Sequence, residues 1–312
     1  MKNARKLVST RNMEKQEWLT YRTLGLGGSD ASVIAGVNPF RSIHELWLEK
    51  TGQTEPKETD SEYTHFGTIL EPIVRQEFTK RTELKVRAKN VMLQSIQHPF
   101  MLADLDGVIN ENGEPAVFEA KTASAYKEEV WENGVPEEYM LQIQHYMAVT
   151  GYKRTYIAAL VGGNKFYWHK VERDEDMIMD LIRMEQEFWV NNVQNGVEPV
   201  PDGSTATTAY LNRAYAQSNG KVIHLSDEVL PLCEKYEEVS KQIKALETEK
   251  DAVTNQIKNY MKEYETGIVG DHKISWKPIA KNVLDSKKLR TEQPEIFEAY
   301  LTRSQYRRLS VA

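Results

Sequence analysis

The segment Val117-Phe118-Glu119-Ala120-Lys121 is where residue type and spacing most directly imply chemistry in this 312-residue chain. Read as a strand, its side chains alternate, so Glu119 and Lys121 point to one face while Phe118 and Ala120 point to the other. An acid and a lysine then share one wall. In the preceding strand-like segment Asp104 and Asp106 also share a face, and Gly107 permits a bend or close backbone approach just after Asp106. Antiparallel pairing across the turn-rich Asn110-Glu111-Asn112-Gly113 sets one of these aspartates beside Glu119. Hard carboxylate oxygens with open water positions suit Mg²⁺, with Mn²⁺ as a substitute. Such an ion polarises a phosphate, stabilises the leaving oxygen and lowers the pKa of an attacking water. Lys121 can orient that water and offset the phosphate charge. The spacing itself leaves Asp104 and Asp106 as alternatives.

A second constellation is Leu26-Gly27-Gly28-Ser29-Asp30, a glycine-rich turn entering a helix. Exposed N–H groups at such a start form an anion site, to which Ser29 adds a hydroxyl and Arg22 a bidentate guanidinium. The plainer alternative is a tight turn capped by Ser29. Gln142 and Tyr146 stand i,i+4 on one helix and face the same way, whereas Gln144, a competitor for the same role, points elsewhere. The histidines show no metal-ligand spacing and read as structural. Trp18, Trp47, Trp131, Trp168 and Trp189 all occur on apolar-periodic stretches and read as core.

Several elements must position these groups. Helices are predicted over residues 11–22 and 42–51, the latter opened by the capping-box pattern Ser42-x-x-Glu45 and closed by Gly52. After a loop over 53–61, a helix from 65 to 81 carries Glu71, with Phe66, Leu70, Ile73, Val74 and Phe78 spaced for one buried face and Gly67 small enough for close packing. Strands follow at 85–93, 101–109 and 116–122, then a helix at 137–150, strands at 154–161 and 165–171, and a helix at 174–195. This order implies an α/β (α+β) fold with a mixed central sheet flanked by helices.

The chain resembles the PD-(D/E)XK nuclease superfamily and, within it, the YqaJ-like viral recombinase family, relatives of lambda exonuclease. The resemblance is carried by five stations in order: Arg22 with Gly27-Gly28-Ser29-Asp30-Ala31-Ser32; Gly67-Thr68-Ile69-Leu70-Glu71; Asp106-Gly107; Glu119-Ala120-Lys121; and Gln142-Ile143-Gln144-His145-Tyr146. It implies a restriction-endonuclease-like core. It also implies a metal set of Asp106, Glu119, Ala120 and Glu71, with Lys121 and Gln142 also catalytic, Asp104 and Tyr146 supporting, and Arg22 with Ser29 on a terminal 5′-phosphate. The family pattern favours Asp106 over Asp104 because its aspartate directly precedes a glycine. The implied activity is Mg²⁺-dependent 5′ to 3′ exonuclease action on double-stranded DNA ends, leaving 3′ tails for recombination. The implied partners are a single-strand-annealing protein of the RecT or Beta kind and other copies of the chain, as a trimer. The alternatives are an endonuclease of the same superfamily, or a DNA-binding adaptor with a decayed site.

Composition is compatible with this. The net charge of -6 weighs against a pure nucleic-acid binder, but residues 1–22 hold six basic and two acidic side chains, and residues 271–308 nine and five, so both ends are locally positive. A single cysteine, Cys233, excludes a disulfide framework, a four-cysteine zinc site and a cysteine-ligated cluster. No apolar leader core or membrane-length apolar run occurs, so a cytoplasmic protein in a bacterial host is expected, encoded by a phage or prophage. Val229, Leu232, Tyr236, Val239, Ile243, Leu246, Lys250, Val253, Ile257, Tyr260 and Tyr264 recur in steps of three and four, a heptad seam interrupted by Lys250. The expected organisation is a nuclease domain over 1–200, a linker over 201–224 and a helical, coiled-coil-like extension over 225–312.

Overall fold

The computed structural model describes residues 3–56, 61–302 and 306–311, so residues 57–60 of the expected loop lie outside the described residues. The chain forms two compact units, Met1–Ala214 and Tyr215–Ala312. The first opens with β1 (Ala4–Ser9), α1 (Lys15–Arg22), α2 (Gly28–Ile34), α3 (Ile43–Lys50) and α4 (Glu62–Thr82). The strands β2 (Val86–Arg87), β3 (Val91–Ser95), β4 (Leu102–Asp104), β5 (Gly107–Glu111) and β6 (Glu114–Ala123) follow. After them come α5 (Glu128–Asn133), α6 (Glu137–Thr150), β7 (Arg154–Val161), β8 (Lys165–Glu172), α7 (Glu175–Glu187) and α8 (Thr205–Ala214).

The central sheet has the order β2-β5-β6-β7-β8, with β6 and β7 parallel and the other neighbours antiparallel. A parallel pair needs a crossover, supplied by α5 and α6, and β7 is buried along nearly its whole length as such a strand must be. Alternation along β6 is observed. Phe118 packs toward α4 with Val74, Phe78 and Tyr156, while Val117 lies in the cluster with Tyr146 and Val149 of α6.

Three expectations are corrected here. The strands expected at 85–93 and 101–109 are each broken, because β3 and β4 join β1 in a separate three-stranded sheet while β2 and β5 belong to the central one. Both segments pass from one sheet into the other, which interrupts their ladders, and residues 105 and 106 form one of the two breaks. The buried face of α4 is shorter than its periodicity implies: Val74 and Phe78 are buried, but Phe66 and Ile73 are about half-exposed, at 49% and 50%. Close packing at Gly67 is not required either, since a Cβ there would sit 3.7 Å from Thr122 Oγ1, an ordinary contact. Elsewhere α3 has the expected capping box between Ser42 and Glu45, and the helix after β8 widens into a π-helical stretch, Phe188–Gln194. The stretch read as a linker contains α8, and β1 was not anticipated.

The second unit is built on α9 (Leu230–Met261), a single helix of 32 residues. It is followed by a hairpin of β9 (Thr266–Val269) and β10 (His272–Ser275), then α10 (Ser286–Glu292) and α11 (Pro294–Ala299). Among the described residues of this unit, Met261 is the only buried side chain. No helix among the described residues is long and apolar enough to cross a membrane.

Candidate active site

Asp106 occupies the break between β4 and β5, and the register Gly107↔Phe118 carried back one step sets it opposite Glu119. Its Oδ2 accepts the N–H of Ala120 at 2.8 Å. Glu119 is 2% exposed. Its Oε1 accepts from Lys121 Nζ and from Gln142 Nε2, each at 2.7 Å, and Gln142 Nε2 also donates to the Tyr146 hydroxyl at 3.0 Å. Glu119 Oε2 is buried without a hydrogen-bond partner. Burial and then the facing Asp106 push the Glu119 carboxyl up to about 8, against the pull of Lys121. Burial also raises Asp106, partly offset by Lys121. Lys121 stays an ammonium ion: burial lowers its pKa, but Glu119 and Asp106 together more than restore it. It also lies 4.9 Å from the centre of the Tyr139 ring.

Glu71 projects from α4 and is ion-paired with Arg75 one turn along. Burial, and next the charge of Asp106, raise its pKa. Among the described residues no three Asp, Glu, His or Cys side chains form a ready coordination shell. The reason is visible in the pairing: Lys121 and Gln142 occupy Glu119 Oε1, and Arg75 holds Glu71. The donor set nonetheless fits a hard cation, because the half-buried Asp106 faces the buried Glu119, whose Oε2 has no hydrogen-bond partner.

Asp104 is turned to different use. Its Oδ2 accepts from Trp18 Nε1 at 2.5 Å, and Trp18 in turn carries the Arg22 guanidinium 5.1 Å from its ring centre and the Lys15 ammonium at 4.9 Å. Trp18 is therefore a half-buried platform for cations rather than core, and Trp168 is likewise 42% exposed, whereas Trp47 and Trp131 are buried. A narrow opening lined by Arg22, Gly27, Gly28, Asp104 and Tyr146 lies beside this platform.

Arg22 Nη2 donates to Ser29 Oγ at 2.9 Å, so the two predicted anion-binding residues are in contact. Behind them the buried Asp30 meets Lys50 Nζ at 2.9 Å, Arg22 at 3.5 Å and Arg41 at 3.6 Å. Lys50 Nζ also donates to the Arg22 carbonyl at 2.8 Å, and Arg41 pairs with Glu49 at 2.8 Å. Burial alone would raise Asp30, but Lys50, Arg22 and Arg41 hold its carboxyl well below the usual range. Three cations against the two carboxylates of Asp30 and Glu49 leave the cluster positive. One expectation changes: Asp30 Oδ2 accepts the Gly27 N–H at 2.9 Å, so the helix start is capped from within. What remains of the expected anion site is the Arg22–Ser29 contact. Gly28 is required by close approach, since a Cβ would fall 2.6 Å from Tyr146 Cε1 and 3.0 Å from Gln142 Cγ.

The competition between the two glutamines is resolved by position. Gln144 Nε2 donates to the Glu172 carbonyl at 3.0 Å and its Oε1 accepts the Asp174 N–H at 3.1 Å, bracing the β8–α7 turn away from Glu119. His145 is buried between Glu185 Oε1 and the Leu102 carbonyl, both at 2.8 Å, a bracing contact. Sequence reasoning missed Arg41, Lys50 and Arg75. Lys50 had a signal: it falls four residues after Leu46 on the buried face of α3, where a lysine needs a buried partner.

The description "YqaJ-like viral recombinase domain" matches residues 17–153, which span Arg22, Ser29, Glu71, Asp104, Asp106, Glu119, Lys121, Gln142 and Tyr146. The YqaJ protein of Bacillus subtilis (strain 168), itself uncharacterized, is 40% identical over 314 residues, covering 99% of this chain and 98% of its own. The chain belongs to the YqaJ-like viral recombinase family. Among solved structures, LHK-Exo in complex with dAMP matches with a TM-score of 0.50 and 21% identity, over 65% of this chain and 98% of that one. A second LHK-Exo structure, described as an alkaline exonuclease from Laribacter hongkongensis, matches with a TM-score of 0.49 at 21% identity over 58% and 94%. The first likeness is one of fold: a mixed sheet flanked by helices, whose central strand β6 in this chain carries Glu119 and Lys121.

Proposed function

We propose that this member of the YqaJ-like family is a metal-dependent exonuclease that resects double-stranded DNA from an end. The observation that carries the reading is Asp106 facing the buried Glu119, with Glu119 Oε2 unpartnered and Lys121 on the other oxygen. Mg²⁺, or Mn²⁺ in its place, held by Asp106, Glu119, Glu71 and Ala120, supplies polarisation of the scissile phosphate and a more acidic water. Lys121 keeps its proton and sets positive charge beside the phosphate. Gln142, anchored by Tyr146, fixes the orientation of Glu119 Oε1. Glu71 joins the set once Arg75 releases it. Arg22 and Ser29, across the opening, receive the terminal 5′-phosphate, which gives 5′ to 3′ polarity and leaves 3′ single-stranded tails. Those tails are the substrate of an annealing protein of the RecT or Beta kind in the bacterial cytoplasm, and a trimer encircling the duplex belongs to the same reading. The likeness of fold to LHK-Exo in complex with dAMP supports it.

The test is hydrolysis of linear duplex bearing 5′-phosphate or 5′-hydroxyl ends, and of a covalently closed circle, with Mg²⁺, Mn²⁺ or chelator. Metal-dependent loss of the linear substrate, faster from phosphorylated ends, is expected. Degradation of the circle would assign an endonuclease, and no hydrolysis of any substrate would leave an adaptor.

A further inference from the structure

The apolar seam of α9 is uncovered. Leu232 and Leu246 are 67% and 64% exposed, and even Val239, the most sheltered seam residue within α9, is 37% exposed. Tyr236, Ile243 and Ile257 take one core position of the heptad, and Leu232, Val239, Leu246 and Val253 the other. The stripe is narrow. Its flanking positions are Ser240, Glu247 and Thr254 on one side and Lys235, Gln242 and Glu249 on the other, so it fits a single partner helix of the same period rather than the face of a globular body. Covering it on two copies would remove on the order of 1,200 Å² of surface before the flanks are added, which reaches the size of specific, stable interfaces.

From this we infer that α9 pairs with α9 of a second copy of the chain as an antiparallel two-stranded coiled coil. Orientation follows from Lys250. In a parallel pair it would face its own copy in the core, bringing two ammonium groups together. In an antiparallel pair of full overlap Ile243 lies opposite Leu246, Tyr236 opposite Val253 and Ile257 opposite Leu232. Lys250 then lies beside Val239, where its stem covers apolar surface and its charge reaches water. The flanks agree with this register, in which Gln242 meets Glu249 and Ser240 meets Glu247, both able to hydrogen bond. Sliding one heptad further would set Glu249 against Glu249 and Glu247 against Glu247, a like-charge penalty at both flanks. Sliding the other way would leave Ile257 uncovered.

The test uses the full-length chain with its only cysteine removed, Cys233→Ser. Y236C and V253C are added singly and together, and disulfides are scored on non-reducing gels after mild oxidation. Seventeen residues separate the two positions, about 25 Å along one helix, so a bond between them must join two copies. The double variant is expected to give a reducible dimer, neither single variant is, and adding I243K with L246K is expected to abolish it. Dimers from Y236C alone would demonstrate a parallel arrangement and overturn the inference. Absence of cross-linking in the double variant would overturn it as well, assigning the seam to a different partner.

Discussion

Replacing Lys50 with methionine removes one charge from the ion cluster around the buried Asp30 while keeping the length of the stem. In the wild type, Nζ reaches Asp30 Oδ2 at 2.9 Å and the Arg22 carbonyl at 2.8 Å, and neither side chain has appreciable exposure. Without it, Asp30 retains the Gly27 N–H at 2.9 Å, but its remaining cations stand farther off, Arg22 at 3.5 Å and Arg41 at 3.6 Å. Breaking a buried pair by removing one partner costs about 3–5 kcal/mol, and the two residual arginines place the expected loss near the lower end, about 3 kcal/mol. The sign with pH is set by Asp30, whose folded pKa is depressed chiefly by Lys50 against the opposing effect of burial. Its stabilisation is present in full above the carboxylate range and is lost as pH falls through the folded pKa. The gap between wild type and K50M should therefore be widest near neutrality and narrow on acidification. Urea unfolding followed by tryptophan fluorescence from pH 7 downward measures it. On the proposed function, the preference for phosphorylated 5′ ends should fall in the same variant, because the backbone of Arg22 loses its anchor. A loss under about 1 kcal/mol at pH 7, or a gap that widens on acidification, would refute the account of the cluster.

Two further outcomes concern the carboxylate site. Glu119→Gln should reduce hydrolysis by at least about 100-fold. In chelator its melting temperature relative to wild type should climb as pH rises from the ordinary carboxyl value of 4.5 toward about 8, then level off, since only the folded wild type holds the proton there. A pH-independent difference would contradict the raised pKa. Gln142→Ala should lower hydrolysis about 10- to 100-fold. Gln144→Ala should instead cost about 1–2 kcal/mol by stripping the β8–α7 turn, with hydrolysis near wild type. The reverse pattern would exchange their assignments.

What could be read from sequence was local. Alternation along β6 placed Glu119 and Lys121 together because a strand leaves side chains no other choice, and the i,i+4 relation of Gln142 and Tyr146 followed from helix geometry in the same way. Asp106 was harder. Its neighbourhood to Glu119 was anticipated, with a bend allowed at Gly107, but on one strand over 101–109. The actual cause is a crossing between two sheets, which depends on β1, an element with no strong signal of its own. The cluster of Asp30, Arg41 and Lys50 was not legible because its members come from separate elements brought together by tertiary packing. The half-exposure of Phe66 and Ile73 shows the opposite error, where periodicity is present but no neighbour covers that part of the helix.

The contact at Gly28 has a mechanical consequence. Because Tyr146 and Gln142 press directly on the backbone of α2, the helix that bears Ser29 and the helix that steadies Glu119 cannot slide past one another. On the proposed function, the grip on a strand terminus and the point of scission are the two ends of a fixed gauge. The length of each released product would then be written into helix packing rather than into a loop, and a larger residue at Gly28 would alter the size of the step as well as its rate.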